Sequence, residues 1–273
     1  MHIEGQNMVA NISANDFRIR GEKTALYIGI GILILILLLL GVVTAGIFIL
    51  VVVPISAVVV WIQQRQLHGG CVKVSLTQFP DIYSISQEAA ARLGMQSPEL
   101  FIRQDPTLNA FAIGFLGKKS VVLNSATVEA MEKAELEQII GHEFSHIKCG
   151  HTNFLVLTSS AEGTGIPIIS NLLGFVFLFW SRKAEYSCDR GGLLASRDPK
   201  AAIAAMCKLA VGPSLFKQMH IDEFLRQHMS IDQDDFTKIS ECFTTHPYLV
   251  KRILAILQFY DSELYRRLVT QSS

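Results

Sequence analysis

From Thr24 to Gln64 the chain carries no charged residue, and within that stretch Ala25 to Ile62 is dominated by Ile, Leu, Val and Gly. A run of this length and composition restricts the fold more than any other feature, because a bilayer accommodates it and an ordinary soluble core does not. As one straight helix it would measure about 57 Å, against a hydrocarbon core of about 30 Å. Two spans of about 17 residues fit better, with the break near Gly41 to Gly46 and Pro54 kinking the second. Arg18, Arg20 and Lys23 before the run, and Arg65 and Lys73 after it, then share one side, as the positive-inside rule asks of a hairpin with cytosolic ends. A single tilted span is the alternative, and it would put residues 1–23 and the rest of the chain on opposite faces. The run is too long for a cleaved signal peptide and lacks a small-residue cleavage site.

The remaining composition narrows the function. Among 273 residues, 24 Lys and Arg balance 24 Asp and Glu, and the basic residues are scattered, which leaves no electrostatic footprint for nucleic acid. The five cysteines, Cys71, Cys149, Cys188, Cys207 and Cys242, form no C-x-x-C pair. Each reads as a small buried thiol in a reducing compartment, which points the domain towards the cytosol.

Residues 1–23 read as a polar tail. After Gly69-Gly70, a linker, a globular domain over 71–273 begins with the alternating Val72 to Leu76 and a helical pattern over Ile82 to Leu93, capped by Ser84 or Ser86. Leu100 to Arg103, Ala110 to Gly114 and Ser120 to Asn124 read as short strands of a small antiparallel sheet. Ser125 caps a helix through Met131, and Glu135 starts another. Residues 153–180 hold a second apolar run, Gly165 to Trp180, short for a span and suited to a membrane-contacting or buried hairpin. Ser181 to Ser196 returns to helix, Asp198-Pro199 starts the next, and Tyr248 to Val269 closes the chain as one amphipathic helix. The fold class is therefore α+β, mainly helical, with an N-terminal transmembrane hairpin and a small sheet.

The chemistry lies in His142-Glu143-Phe144-Ser145-His146. On a helix, His146 falls about 40° and Glu143 about 100° from His142, so two imidazoles converge on one ion and a carboxylate stands beside a water bound to it. Ile140, Phe144, Ile147 and His151 fall on the opposite face, which makes His151 a packing or helix-end histidine. A catalytic zinc of this type takes three protein ligands and one water. Glu185 is the best third candidate, and Asp189, four residues on, can accept the free N–H of His142 or His146.

Four stretches then resemble the zinc peptidases that include the bacterial HtpX heat-shock protease and the CAAX prenyl proteases, a group of H-E-x-x-H gluzincins. They are Asn109-Ala110-Phe111-Ala112, the H-E-F-S-H helix ending at Gly150-His151, the S-R-x-x-E-x-x-x-D segment at 181–189, and Thr245-His246-Pro247 with Arg252. The resemblance implies a zincin-like domain with one zinc ion, held by His142, His146 and Glu185. It implies Glu143 as general base, Asp189 as the partner of a ligand histidine, and His246 as a stabiliser of the oxyanion. It further implies that Asn109, Ala110, Phe111 and Ala112 bind substrate backbone as an added strand, while Arg252 organises the site.

The expected activity is zinc-dependent endopeptidase action on polypeptides, in quality control of membrane or misfolded proteins. The enzyme would be integral to a cell membrane, the inner one in a bacterium, and face the cytosol, with lipid bilayer as its other partner. The rival is a non-catalytic membrane adaptor with a retained zinc site, for which Cys188 or Cys149 could supply a fourth ligand. The intact Glu143 counts against it.

Overall fold

The computed structural model describes residues 12–43, 58, 62, 69–114, 119–152, 167–231 and 247–272. Helices α1 (Ala14–Phe17) and α2 (Glu22–Val43) precede a sheet of β1 (Val72–Lys73), β2 (Glu99–Arg103), β3 (Ala110–Ile113) and β4 (Ser120–Asn124). The sheet order is β1-β2-β4-β3, and β2 runs parallel to β4 while the other pairs are antiparallel. The expected antiparallel sheet is thus a mixed one. The reason lies between Arg103 and Ala110: the chain passes across the end of β4's place before turning back, so β3 takes the edge and β4 returns into the middle. Asn124 holds that crossing, with its Nδ2 donating to Thr107 O at 3.0 Å and its Oδ1 accepting from Arg103 Nη2 at 3.1 Å. Val121, Val122 and Leu123 are all buried, as a strand covered on both faces requires.

Helix α3 (Pro80–Arg92) starts after Phe79 in a left-handed conformation, with proline at its first position. Ser84 and Ser86 therefore lie inside the helix and do not cap it, and Ser86 Oγ donates to Tyr83 O instead. Asn124, not Ser125, is the N-cap residue of α4 (Ser125–Ala130). Helix α5 (Lys133–Lys148) carries the H-E-F-S-H stretch, and α6 (Pro167–Ser196) carries Glu185 and Asp189. Within the stretch 153–180, where a hairpin is expected, residues 167–180 are helical and continue without a break to 196. Residues 153–166 lie outside the described residues.

Helix α7 (Pro199–Val211) is capped by Asp198, whose carboxylate accepts from Lys200 N and Ala201 N. Helices α8 (Pro213–Phe216) and α9 (Ile221–Ile231) follow. The last expected helix is two, α10 (Leu249–Tyr260) and α11 (Glu263–Gln271), because Ser262 caps a new start by accepting from Tyr265 N at 3.1 Å.

The helices α5 and α6 form the centre of the molecule. They meet along glycines: a Cβ on Gly141 would collide with Ala195, one on Gly191 with Ser145, and one on Gly192 with Gln138. Ile140, Phe144, Leu193, Leu194, Ile253 and Ile256 are sealed in the core around this crossing.

Residues 12–22, expected to belong to a tail, are folded onto the domain. Ser13 caps α1, Phe17 is fully buried in the main core, and Glu22, the first residue of α2, is 1% exposed. The start of α2 packs through Ala25, Leu26, Ile30 and Leu33 on Phe177, Trp180 and Ala184 of α6. Further along, α2 exposes Ile28, Ile32, Ile34, Leu35, Leu38, Leu39 and Val42. Among the described residues no helix is long and apolar enough to cross a membrane. The expected hairpin break near Gly41 to Gly46 and the kink at Pro54 fall largely outside the described residues.

Candidate active site

Both ends of α5 are fastened, which fixes where its histidines point. At the N-terminus Glu132 and Glu135 form a reciprocal capping box, with Glu132 N donating to Glu135 Oε2 at 2.7 Å, and Lys208 Nζ meets the same oxygen at 2.7 Å. At the C-terminus Gly150 adopts φ +78°, so Gly150 N reaches Ile147 O at 3.1 Å and His151 N reaches His146 O at 2.9 Å. This is a Schellman ending, which glycine enters without strain. It folds His151 back against the helix it has just left.

His142 Nε2 and His146 Nε2 lie 3.2 Å apart. Glu185, from α6, places Oε2 at 3.8 Å from the first and Oε1 at 3.5 Å from the second. Ligands about 2.0–2.1 Å from one tetrahedral ion stand about 3.3–3.4 Å from each other, so these three donors are spaced to share one. Cys188 is also near, with its Sγ and the two imidazole nitrogens all within 4.8 Å of one another. Burial pushes its thiol well above the ordinary value. Glu185 is the better third donor, because its two oxygens already straddle the histidine pair.

Charge suits a cation here. Burial disfavours the charged form of His146, but the hydrogen bond with Glu185 and the charges of Glu143, Glu185 and Asp189 outweigh it and raise its pKa. Glu143 itself is 8% exposed.

Each imidazole has a partner on its far side. His142 Nδ1 lies 3.0 Å from Asp189 Oδ1. Arg252, from α10, grips that carboxylate with Nε on Oδ2 at 2.8 Å and Nη2 on Oδ1 at 2.6 Å, and its Nη1 lies 3.4 Å from Glu185 Oε2. Burial alone would raise the Asp189 carboxyl, but the charge and hydrogen bonds of Arg252, with His142, hold it below the usual range. His146 Nδ1 faces His151 Nδ1 at 3.3 Å, and His151 Nε2 lies 2.8 Å from Glu22 Oε1. Sequence reasoning missed Glu22 altogether. The only signal was its place four residues after Arg18, whose Nε lies 3.4 Å from it.

Ala110, Phe111 and Ala112 lie on β3, the edge strand, half-buried and packed against α5. Asn109 sits just before them with its backbone in use: its N–H donates to Thr127 Oγ1 at 2.7 Å, and its carbonyl accepts from Asn124 N at 3.0 Å. His246 lies outside the described residues.

The sequence profile of Peptidase family M48 matches residues 76–259, which include every described residue of this site except Glu22. The plastoglobule-localized metallopeptidase 48, chloroplastic, of Arabidopsis thaliana is 32% identical over 220 residues, covering 75% of this chain and 64% of that protein. The chain thus spans less than two thirds of that relative's length. A protease HtpX homolog of Streptococcus uberis is 25% identical over 225 residues, covering 66% of this chain and 74% of the relative. Another, from Streptococcus equi subsp. equi, is 25% identical over 249 residues, covering 76% and 83%. With the profile covering most of its length, the chain belongs to peptidase family M48.

Proposed function

We propose that this protein is a membrane-anchored endopeptidase working with one zinc ion at His142, His146 and Glu185. The observation that carries the reading is the convergence of two imidazole nitrogens and one carboxylate at 3.2, 3.5 and 3.8 Å. Zinc bound there supplies Lewis acidity, which lowers the pKa of a water towards about 7 and polarises a peptide carbonyl. Asp189 accepts the Nδ1–H of His142 and so leaves Nε2 free to bind. Glu143 takes the proton of the attacking water and returns it to the leaving amine. The resemblance adds His246 as donor to the carbonyl oxygen while that oxygen gains charge.

The place of β3 at the edge of the sheet among the described residues suits an extended polypeptide, which would pair its backbone with Ala110 to Ala112. Asn109, its own backbone groups occupied, would set the start of that strand. Such recognition reads backbone more than side chain and fits varied polypeptide substrates. The exposed apolar residues on α2, inside the uncharged run from Thr24 to Gln64, support anchoring in a bilayer. Arg18, Arg20, Lys23, Arg65 and Lys73 support a cytosolic face for the domain. A protease tethered in this way reaches membrane proteins and chains near the bilayer first, which favours a quality-control role.

A non-catalytic adaptor with a closed site through Cys188 is the competing reading, favoured only by that thiol's closeness. Cleavage of casein by detergent-purified protein, abolished by a chelator and restored by zinc, decides between them. Glu143→Gln should keep its zinc and lose turnover by at least about 100-fold. A Gln variant as active as the wild type would sink the catalytic reading.

A further inference from the structure

We propose that Glu22 and His151 are positioning residues for the metal site, and that through them the site's hold on zinc depends on the seating of α2. The inference rests on the reading that His146 binds through Nε2.

The argument is one of proton placement. A carboxylate carries no proton, so the 2.8 Å contact between Glu22 Oε1 and His151 Nε2 requires the hydrogen on Nε2. A neutral imidazole with Nε2–H offers Nδ1 only as an acceptor. His146 Nδ1, 3.3 Å from it, must then be the N–H that donates. That leaves the lone pair of His146 on Nε2, the nitrogen facing His142 Nε2 at 3.2 Å and Glu185 Oε1 at 3.5 Å. The chain Glu22, His151, His146 does for the second histidine what Asp189 does directly for the first. Cys188 Sγ, 3.5 Å from the same His151 nitrogen, is a weaker donor to it.

The relay is built as a fixed object. Glu22, His151 and Ser187 are all at most 2% exposed. The Ser187 hydroxyl donates to Glu22 Oε2 and accepts from Ile19 N at 2.9 Å. Arg18 approaches Glu22 with Nε and donates from Nη2 to Cys149 O at 2.7 Å. The Trp180 ring stands edge-on to His151 with centroids 5.6 Å apart. Besides His151, the described side chains that hold Glu22 are Arg18, in the segment entering α2, and Ser187, on α6.

Glu22 is also the first residue of α2, whose continuation is the apolar run. Lifting α2 from Phe177 and Trp180 withdraws Glu22. His151 is then free to carry its hydrogen on Nδ1, where it would point at the N–H of His146. The two donors repel, and His146 loses the orientation that binds metal.

The test uses the full chain in detergent or lipid nanodiscs, with zinc affinity read by competition with a chelator and geometry read by the absorption bands of the cobalt form. His151→Phe keeps a ring and removes the acceptor, and should weaken zinc by about 10–100-fold. His151→Asn puts an oxygen near the position of Nδ1 and should recover most of that loss. Glu22→Gln should weaken zinc by about 3–10-fold and move the cobalt bands, in a metal-free protein that still folds. If His151→Phe does not fold, Glu22→Gln carries the test. Wild-type affinity and spectrum in folded Glu22→Gln would overturn the link to α2. An unaltered His151→Phe would overturn the relay. Undiminished zinc binding by His146→Ala would instead sink the underlying assignment of the metal.

Discussion

Arg252 shows how much of this site depends on one side chain's shape. Its fork spans both oxygens of Asp189, at 2.8 and 2.6 Å, while a third nitrogen lies near Glu185. A lysine supplies the charge and only one point of contact. Arg252→Lys is therefore expected to weaken zinc by roughly tenfold through a slackened Asp189 and His142, as chelator competition would measure. Arg252→Ala should also destabilise the fold by about 3–5 kcal/mol, because it strands two buried carboxylates. At this scale the sequence was legible where geometry is local. His142, Glu143 and His146 share one helical arc by spacing alone, and Glu185 with Asp189 repeats the trick on another helix. His151 read as a packing histidine because nothing in its neighbourhood of sequence names Glu22, its partner 129 residues away.

Among elements, the crossing of α5 and α6 sets the distance between the histidines and Glu185. A methyl on Gly191 would meet Ser145 Cβ at 2.7 Å and overlap its Oγ, and would wedge the helices apart. Gly191→Ala should cost about 1–3 kcal/mol in a denaturant titration and lower bound zinc per chain by elemental analysis. Full zinc content in a Gly191→Ala protein of lowered stability would mean that the metal site tolerates the separation. The edge strand β3 leads to a different test. An added strand turns alternate side chains to opposite faces and must donate its own N–H groups. Cleavage of a peptide library should therefore show preferences at every second position and exclude proline where a donor is needed. Sequence patterns identified these helices and strands well and their ends poorly. Phe79, Asn124 and Ser262 mark boundaries by backbone geometry, which periodicity does not record. The parallel pairing of β2 with β4 was illegible because it depends on the path of 104–109 across the sheet's end, not on any strand's own residues.

Over the whole molecule, the segment before α2 is wired into the domain by a charge. Burial opposes ionisation of Glu22, but hydrogen bonds and charge from His151, the hydroxyl of Ser187 and the charge of Arg18 hold its pKa below the ordinary carboxylate value. A carboxylate depressed in the folded state contributes stability above its unfolded pKa of about 4.3, and that contribution is lost as pH falls through the lower folded value. Glu22→Gln should thus flatten the fall in stability on acidification below about pH 4, seen as urea midpoints that change less with pH than those of the wild type. An identical pH profile would mean that the wild-type carboxyl gains nothing from its partners.

These contacts also carry a time order. Glu22 meets His151 across 129 residues and Ser187 across 165, and Ile19 meets Ser187 across 168. Contacts that close such long loops form late, after local helices and the α5–α6 crossing have paid little to assemble. His146 thus receives its last orienting bond when the rest of the domain is already in place. A newly made chain would pass through most of its folding with an incompletely ordered metal site, which would be completed only when residues 18–22 dock.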